Sequence, residues 1–254
     1  MTSIHPGRPS RRVFVQVVGC AAAALALDAR SAPAQTAAVP RTRHVRKIGI
    51  IGSGRQGGNV GLQFARAGHE VLFSSRQPDE LKELVAKAGP NARAGLPQEA
   101  ATFGDVVLIA VPYGALPQVG RDYAPLMKGK VVIDCGNPRE DRDGAMAKDA
   151  AAAGTGVASA GFLPGVRLVR AFNALSFVQV EQQAHRAGEK LGIPIAGDDR
   201  EAVAIVTELV VDAGFDPVVV GGLSRAREFD AGTPVYVKGM TARQLREALK
   251  LPPQ

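Results

Sequence analysis

Six consecutive residues near the start of the globular part of the chain combine three glycines in a spacing that suits phosphate binding. They follow an apolar run at 47–51 and precede an amphipathic segment, and they read Gly52-Ser53-Gly54-Arg55-Gln56-Gly57. In a G-x-G-x-x-G loop the first glycine permits a tight turn, the second lets backbone amides approach a pyrophosphate, and the third lets helix and strand pack closely. The anion then lies at the positive end of the following helix. The pattern predicts a dinucleotide site, with Arg55 either adding a charged donor or staying solvated.

The residues about 20 positions further on decide which dinucleotide fits. An NAD site places an acid there to accept hydrogen bonds from the ribose 2′-hydroxyl. This chain has Ser75 and Arg76 instead, while Glu70 lies at the opposite end of the second candidate strand, about 13 Å away. A hydroxyl and a guanidinium suit a 2′-phosphate. The sequence therefore predicts NADP, the alternative being that Arg76 only caps a loop.

Three further turns follow apolar runs. In an open α/β sheet the ligand lies outside the carboxyl ends of the strands, so these turns are candidate walls of one cleft, although each could simply end a strand. The candidate residues are Val111, Pro112 and Tyr113 after the third run, Asn137 after the fourth, and Ala171, Phe172 and Asn173 at the end of the fifth.

Short apolar runs alternate with longer amphipathic ones from residue 47 onward. This alternation predicts an α/β fold of the Rossmann type, a doubly wound and mainly parallel sheet covered by helices, with a short C-terminal extension from about residue 223. The candidate strands are 47–51, 70–73, 106–111, 131–133, 168–171, 193–195 and 217–220. The candidate helices are 56–67, 78–87, 114–127, 146–152 and 200–213.

Composition argues for one globular domain and against a nucleic-acid partner. The chain has 254 residues, of which 46% are hydrophobic and 22% charged, with no Trp and only 5% aromatic residues for base stacking. The formal net charge is +7. Residues 1–46 hold seven Arg and one Asp and account for +6, so the remaining residues sum to +1 and produce no field that would steer a polyanion.

The basic N-terminus resembles an export signal. Arg11 and Arg12 precede an uncharged stretch at 13–27 that is too short for a membrane span, and Ala32-Pro33-Ala34 offers a small-x-small cleavage site. We therefore expect a twin-arginine signal at 1–34, a linker at 35–46, contact with the twin-arginine export machinery and a periplasmic location. Two alternatives remain open: lipid attachment at Cys20, and a non-functional leader that leaves the protein in the cytoplasm.

Other catalytic chemistries lack the residues they need. The four histidines stand apart at positions 5, 44, 69 and 185, so no pair has metal-ligand spacing, and no G-x-S-x-G nucleophile motif occurs. No catalytic acid or base can be assigned. Hydride transfer between two rings needs none, because the protein only stacks and orients the reactants.

Taken together, these motifs resemble the NADP-dependent deazaflavin (coenzyme F-420) oxidoreductase family, which shares its fold with the NADPH domain of six-transmembrane metalloreductases. The resemblance spans about residues 47–236 and rests on KIGIIGSGRQGG, AGHEVLFSSR, VLIAVPYGALP, GKVVIDCGNP, VRAFNALS, PIAGDD and GFDPVVVGGLSRAREFDAGTPVY. It implies NADP on the glycine loop, on Ser75 and Arg76 and on the Val111 and Asn137 turns, with residues 171–173 near the nicotinamide. Family members carry a basic residue soon after the Ser-Arg pair, whereas the next one here is Lys82.

The predicted function is hydride transfer between NADP(H) and a flat acceptor, a deazaflavin or a flavin. A flavin-mediated ferric or cupric reductase and a non-catalytic NADP-binding sensor or scaffold are the alternatives. A related 3-hydroxyacid or imine reductase would need a long helical C-terminal domain, which about 30 residues after Leu223 cannot supply. The acceptor, the direction of transfer and a homodimeric state stay undetermined at this point.

Overall fold

The computed structural model describes residues 44–252, which belong to one compact unit, residues 43–254. The predicted export signal at 1–34 and most of the predicted linker at 35–46 lie outside the described residues. Within residues 44–252, no helix combines the length and the apolar character that crossing a bilayer requires.

In the described part of the chain, eight strands form a single sheet in the order β3-β2-β1-β4-β5-β6-β7-β8, and all neighbours pair in parallel except β6 and β7. The first six strands follow the order of the doubly wound dinucleotide-binding fold. The predicted fold class is therefore confirmed. The strands are Lys47–Ile51 (β1), Glu70–Ser74 (β2), Ala92–Gly95 (β3), Val106–Ile109 (β4), Val131–Asp134 (β5), Arg167–Arg170 (β6), Gly192–Gly197 (β7) and Asp216–Gly221 (β8).

Helices cover both faces of the sheet. They are Arg55–Arg66 (α1), Lys82–Ala88 (α2), Pro97–Phe103 (α3), Leu116–Met127 (α4), Glu140–Asp143 (α5), Ala145–Ala153 (α6), Thr155–Phe162 (α7), Phe177–Gln183 (α8), Arg200–Asp212 (α9) and Ala242–Ala248 (α10). Three short 3₁₀ helices span Pro78–Leu81, Tyr113–Ala115 and Leu223–Glu228. α1 and α9 pack on one face, with Phe64 and Val206 fully buried, and α4 packs on the other, with Leu116 and Met127 buried.

All seven predicted strands occur; β1 has the predicted bounds, and the other six differ from theirs by one or two residues at an end. β4 ends at Ile109 rather than Val111, because Pro112 removes a backbone donor and the chain turns before it. β3 was not predicted: its sequence, Ala-Arg-Ala-Gly, contains no apolar run, and it pairs at the sheet edge with β2 alone among the described strands. The predicted helix at 78–87 begins as a 3₁₀ turn at Pro78 and becomes α-helical only at Lys82.

The segment after β8 is packed against the domain. Phe229, Val235 and Leu245 are buried against Val218 and Val220 of β8. An isolated bridge between Leu191 and Thr241 joins the segment to the start of β7. This C-terminal extension, residues 222–252, therefore returns across the sheet instead of projecting from it.

Candidate dinucleotide site

The glycine loop adopts the conformation that its three glycines predict. Gly52 has φ +92°, a region that L side chains rarely occupy. A Cβ on Gly57 would lie 2.2 Å from the carbonyl oxygen of Gly52, so only glycine lets α1 start this close to β1. A Cβ on Gly54 would meet no heavy atom within 4 Å. The space above Gly54 is therefore the open side of the loop, where a pyrophosphate could approach the backbone.

The N-terminus of α1 is suited to an anion. Its N-cap is Gly54, which has no side chain to accept hydrogen bonds from the first amides, and no acidic residue occupies the first turn. Those amides and the positive end of the helix dipole can therefore serve a bound phosphate. The Arg55 guanidinium stacks over the Phe177 ring at 4.4 Å from its centroid, so the Arg55 side chain is held at the rim of the loop by a cation–π contact.

Ser53 and Gln56, both predicted to contact the cofactor, make hydrogen bonds inside the protein. The backbone N–H of Ser53 donates to the Ser74 carbonyl (3.0 Å), and its Oγ accepts from the Ser74 N–H (2.9 Å). Nε2 of Gln56 donates to the carbonyl oxygen of Phe172 (2.7 Å). Ser53 thus joins the glycine loop to the end of β2, and Gln56 joins it to the turn after β6.

Ser75 and Arg76 directly follow β2, beside the glycine loop, because Ser74 of β2 pairs with Ile51 of β1. Oγ of Ser75 accepts a hydrogen bond from the N–H of Gln77 (3.1 Å), which shapes the turn. Arg76 is exposed and has no hydrogen-bond or ion-pair partner within residues 44–252. Glu70 lies at the first position of β2, as predicted, so no strand carboxylate competes for the 2′-phosphate position.

The side chain of Tyr113, a residue predicted to form part of the cleft wall, lies in the interior of the protein. Tyr113 is only 1% exposed, and its hydroxyl lies 2.9 Å from Oγ of Ser159 on α7. Burial raises the pKa of this phenol to about 12, despite the hydrogen bond with Ser159 that lowers it. Pro112 is exposed and Val111 partly exposed, so within this turn these two residues remain available to a ligand.

The predicted contacts after β6 are also internal. Ala171 and Phe172 are fully buried, and Phe172 sits at φ 61° with its ring packed edge-on against Phe64. The side chains of Ala171 and Phe172, two of the three residues that the resemblance placed near the nicotinamide, therefore belong to the core. The Phe172 carbonyl oxygen in this turn accepts the hydrogen bond from Gln56.

Asn137 and Asn173, predicted on two different turns, contact each other. Nδ2 of Asn137 donates to the Asn173 carbonyl (2.9 Å), and Nδ2 of Asn173 lies 3.3 Å from Oδ1 of Asn137. Asn137 is partly exposed, whereas Asn173 is buried and its Oδ1 has no hydrogen-bond partner among the described residues. A donor from a bound ligand would satisfy this oxygen, so the pair fits a site for a polar group such as a carboxamide.

A buried ion pair supports these turns and was not predicted. Arg170, fully buried at the end of β6, donates from Nη1 to Oδ2 of Asp134 (2.6 Å) and from Nη2 to the Gly136 carbonyl (2.8 Å). Burial by itself lowers the pKa of the guanidinium, but the carboxylates of Asp134 and Asp230 outweigh it and the pKa is raised. The signal in the sequence was a charged residue inside an apolar strand, Leu-Val-Arg-Ala, since such residues are rarely buried without a partner.

The cleft lacks groups for metal or nucleophilic chemistry among residues 44–252. No cluster of three or more His, Cys, Asp or Glu could hold a metal ion there. Cys135 is buried, and burial raises the pKa of its thiol to about 12, so it is not a thiolate at neutral pH. The arrangement can bind and orient a phosphorylated cofactor, and its chemistry is then that of the cofactor.

The sheet order and the loop geometry define a Rossmann-type dinucleotide-binding domain. Residues 47–138 match the model of a family described as NADP oxidoreductase, coenzyme F420-dependent. This stretch covers the glycine loop, the Ser75-Arg76 turn and the Asn137 turn. The family resemblance predicted from the sequence is thereby confirmed.

Individual proteins agree with this match. The chain is 29% identical over 188 residues to metalloreductase STEAP3 of Rattus norvegicus, covering 73% of this chain but 36% of that protein. It is 28% identical to the F420-dependent NADP reductase of Methanothermobacter thermautotrophicus, covering 80% of this chain and 93% of the reductase. A hypothetical protein of Sinorhizobium meliloti, SMa0349, has the same fold, with a TM-score of 0.64 at 22% identity over 78% of this chain and 96% of that one.

Proposed function

We propose that this protein is an NADP-dependent oxidoreductase that transfers hydride between NADP(H) and a flat acceptor, most simply a deazaflavin. One observation carries the proposal. Arg76 is exposed, has no partner among the described residues, and follows β2 where an NAD site would place an acid. A free guanidinium beside the Ser75 hydroxyl is the donor set that a 2′-phosphate needs.

Different residues around the loop would bind different parts of NADP. The amides that start α1 would hold the pyrophosphate, Ser75 and Arg76 the 2′-phosphate, and the Val111-Pro112 turn and Asn137 the remainder. NADPH, when bound, would supply a hydride that, with one proton from solvent, would reduce the acceptor by two electrons and leave NADP⁺. The protein's part is to orient the two rings and exclude water.

Relatives support the deazaflavin as the first acceptor to test. Two F420-dependent NADP reductases are each 28% identical to this chain, which covers 93% and 96% of their lengths. The similarity to a metalloreductase over 73% of this chain favours a second candidate, ferric or cupric reduction through a flavin. A non-catalytic NADP-holding sensor or scaffold is the third reading.

One set of assays separates the three functions. Purified protein is titrated calorimetrically with NADPH and NADH, and NADPH oxidation is followed by its absorbance with F420, with flavin plus ferric iron, and with neither. We expect NADPH to bind at least about tenfold more tightly than NADH and to be oxidised with F420. Oxidation only with flavin and iron would select the metalloreductase function, and binding without turnover the sensor. No binding of NADPH would refute the proposal.

We further propose that residues 1–34 direct export to the periplasm through the twin-arginine machinery. The Arg11-Arg12 pair, the weakly apolar stretch after it and the Ala32-Pro33-Ala34 site support this. The twin-arginine route carries folded proteins with their cofactors, which would bring NADP to a compartment where the free nucleotide is scarce. A deazaflavin is scarce there too, so the location bears directly on which acceptor is used.

A further inference from the structure

The C-terminal extension reaches the edge of the sheet that carries the dinucleotide site. It leaves β8 at the opposite edge, where the Leu223 N–H donates to Oδ1 of Asp198 (2.8 Å) in a region lined also by Arg167 at the start of β6. The 3₁₀ helix Leu223–Glu228 and the buried Phe229 then carry the chain along the sheet. Asp230 follows, beside Arg170 at the far end of β6.

Asp230 connects three segments that are distant in the sequence. Its Oδ1 lies 3.4 Å from Nη2 of Arg170 and 3.4 Å from Nδ2 of Asn173. At the start of α7, its two oxygens accept hydrogen bonds from the Thr155 N–H and from the Thr155 hydroxyl. One carboxylate, 13% exposed, thus fastens the extension to β6, to α7 and to the turn after β6.

The same contacts lead to the two turns of the candidate site. Arg170, held by Asp230, donates to the Gly136 carbonyl and so fixes the residue before Asn137. Asn173, held by Asp230, exchanges hydrogen bonds with Asn137. Two of the three partners of Asp230, Arg170 and Asn173, therefore act on Asn137, the partly exposed member of the Asn137–Asn173 pair.

Charge balance does not require Asp230. Asp134 is 1% exposed and already neutralises Arg170 with a contact of 2.6 Å. Asp230 adds a second carboxylate, so the buried group carries one excess negative charge, an arrangement that costs desolvation energy. Asp230 instead fixes relative positions, because its carboxylate accepts hydrogen bonds from Arg170, Asn173 and Thr155 at the same time.

We propose that Asp230 is a positioning residue for the nicotinamide half of the cofactor site, acting through Arg170 and Asn173 on the Asn137 turn. This rests on the proposed function, since it assumes that NADP lies along the carboxyl edge. The adenine half depends on Ser75, Arg76 and the glycine loop, none of which contacts Asp230 in the described structure. Losing Asp230 should therefore weaken only one half of the site.

The test compares a ligand with both halves and a ligand with one. Asp230→Asn keeps the shape and leaves the Arg170–Asp134 pair neutral, so no unpaired cation is created. Calorimetry with NADPH and with adenosine 2′,5′-bisphosphate, which lacks the nicotinamide, measures each half. We expect the affinity for NADPH, and the change in NADPH fluorescence on binding, to fall by about tenfold, while the affinity for adenosine 2′,5′-bisphosphate stays unchanged. If F420 is the acceptor, the factor by which kcat falls should exceed the factor by which KM rises.

The matched control is Asp198→Asn, the same change at a contact of the extension near the opposite edge of the sheet, which should alter neither ligand's affinity. If Asp230→Asn does not fold, Asp230→Glu keeps the charge, moves it by one methylene, and should give the same selective loss. Equal losses for both ligands, or no loss for either, would overturn the positioning role while leaving the proposed function intact. If the unaltered protein binds neither ligand, it is the proposed function that fails, and the positioning role with it.

Discussion

Arg76 is the residue that carries the proposed preference for NADP over NAD. Within residues 44–252 it has no ion-pair partner, and it is exposed beside the Ser75 turn. A solvated arginine with no internal role loses little when it binds a phosphate, since no existing contact must break. The residue that would oppose the phosphate, Glu70, lies at the far end of β2.

Reversing the charge at Arg76 should therefore separate the two nucleotides. In Arg76→Glu we expect NADPH binding to weaken by about 100-fold, because a charge-assisted pair becomes a repulsion, and NADH binding to change by less than about threefold. Titration calorimetry measures both. Arg66→Glu is the control, an exposed arginine at the other end of α1 that undergoes the same change in charge. Equal losses for NADPH and NADH in Arg76→Glu would remove Arg76 from the 2′-phosphate site.

Asp143 is a second residue with a defined energetic role. It pairs with Arg142 (2.7 Å) and accepts hydrogen bonds from the N–H groups of Arg139 and Gly114, which joins the loop after β5 to the turn after β4. The Arg142 pair and these two bonds lower the pKa of the Asp143 carboxyl to about 2 from its ordinary value of 3.8. A carboxyl whose pKa is lowered on folding stabilises the folded state above its unfolded pKa and stops doing so as pH falls through the folded pKa.

We therefore expect Asp143→Asn to lower the free energy of unfolding at pH 7 by about 1–2 kcal/mol. The difference between the two proteins should shrink as pH falls from about 4 to about 2, where Asp143 becomes protonated in the unaltered protein. Urea unfolding across this range gives the measurement. A difference that stays constant with pH would show that the contribution of Asp143 is not ionic.

At the scale of elements, the glycine loop separates what the fold requires from what the ligand requires. Gly57 is required by the fold, because any Cβ there meets the carbonyl oxygen of Gly52 at 2.2 Å. Gly54 has extended backbone angles, φ −72° and ψ −160°, which alanine also adopts, and free space around its Cα. The absence of a side chain at Gly54 therefore has no structural cause within the described chain.

Two alanine substitutions test this distinction. Gly57→Ala should destabilise the protein by about 1–3 kcal/mol through overpacking. Gly54→Ala should change the free energy of unfolding by less than about 0.5 kcal/mol, as surface changes do, while weakening NADPH binding by about tenfold, because the methyl occupies the approach of the pyrophosphate. Chemical unfolding and calorimetry are run on both variants. Unchanged NADPH affinity in Gly54→Ala would move the pyrophosphate away from this loop.

The elements themselves were predictable where apolar periodicity was strong. β1 and α9 match their predicted ranges to within one residue, since each combines a buried apolar pattern with a clear start. β3 and α7 were missed for the same physical reason: Ala-Arg-Ala-Gly and an Ala- and Gly-rich stretch carry little local preference, and tertiary packing decides their conformation.

At the scale of the whole molecule, the strand order brings the site together. β1 pairs with β2 on one side and β4 on the other, so the ends of all three lie side by side although 58 positions separate Ile51 from Ile109. The carboxyl ends of β5 and β6 extend the same edge. The C-terminal extension reaches the same edge through Asp230, which contacts Arg170 at the end of β6. The last segment of the chain is therefore joined to the strands that carry the candidate site.

The export signal proposed at residues 1–34 belongs to this scale as well, because it would decide where the whole folded protein acts. Replacing Arg11 and Arg12 by Lys should leave the precursor in the cytoplasm, since the paired guanidinium groups are the recognised feature of a twin-arginine signal. Cell fractionation with immunodetection measures the distribution, and Arg8→Lys serves as a control outside the pair. Undiminished export of the double variant would exclude the twin-arginine route.

By itself, the sequence determined the fold class and the position of the glycine loop between β1 and α1, and it predicted Ser75 and Arg76 directly after β2. These features are local: glycine spacing, apolar runs and the residues that directly follow a strand. Only the tertiary structure decided which of the candidate residues are exposed at the strand ends and which are buried or hydrogen-bonded within the protein. Tyr113 and Phe172 point into the core, Ser53 and Gln56 join neighbouring segments, and Asp230 reaches Arg170 from 60 positions away. Such contacts depend on where distant strand ends meet, which no local pattern records.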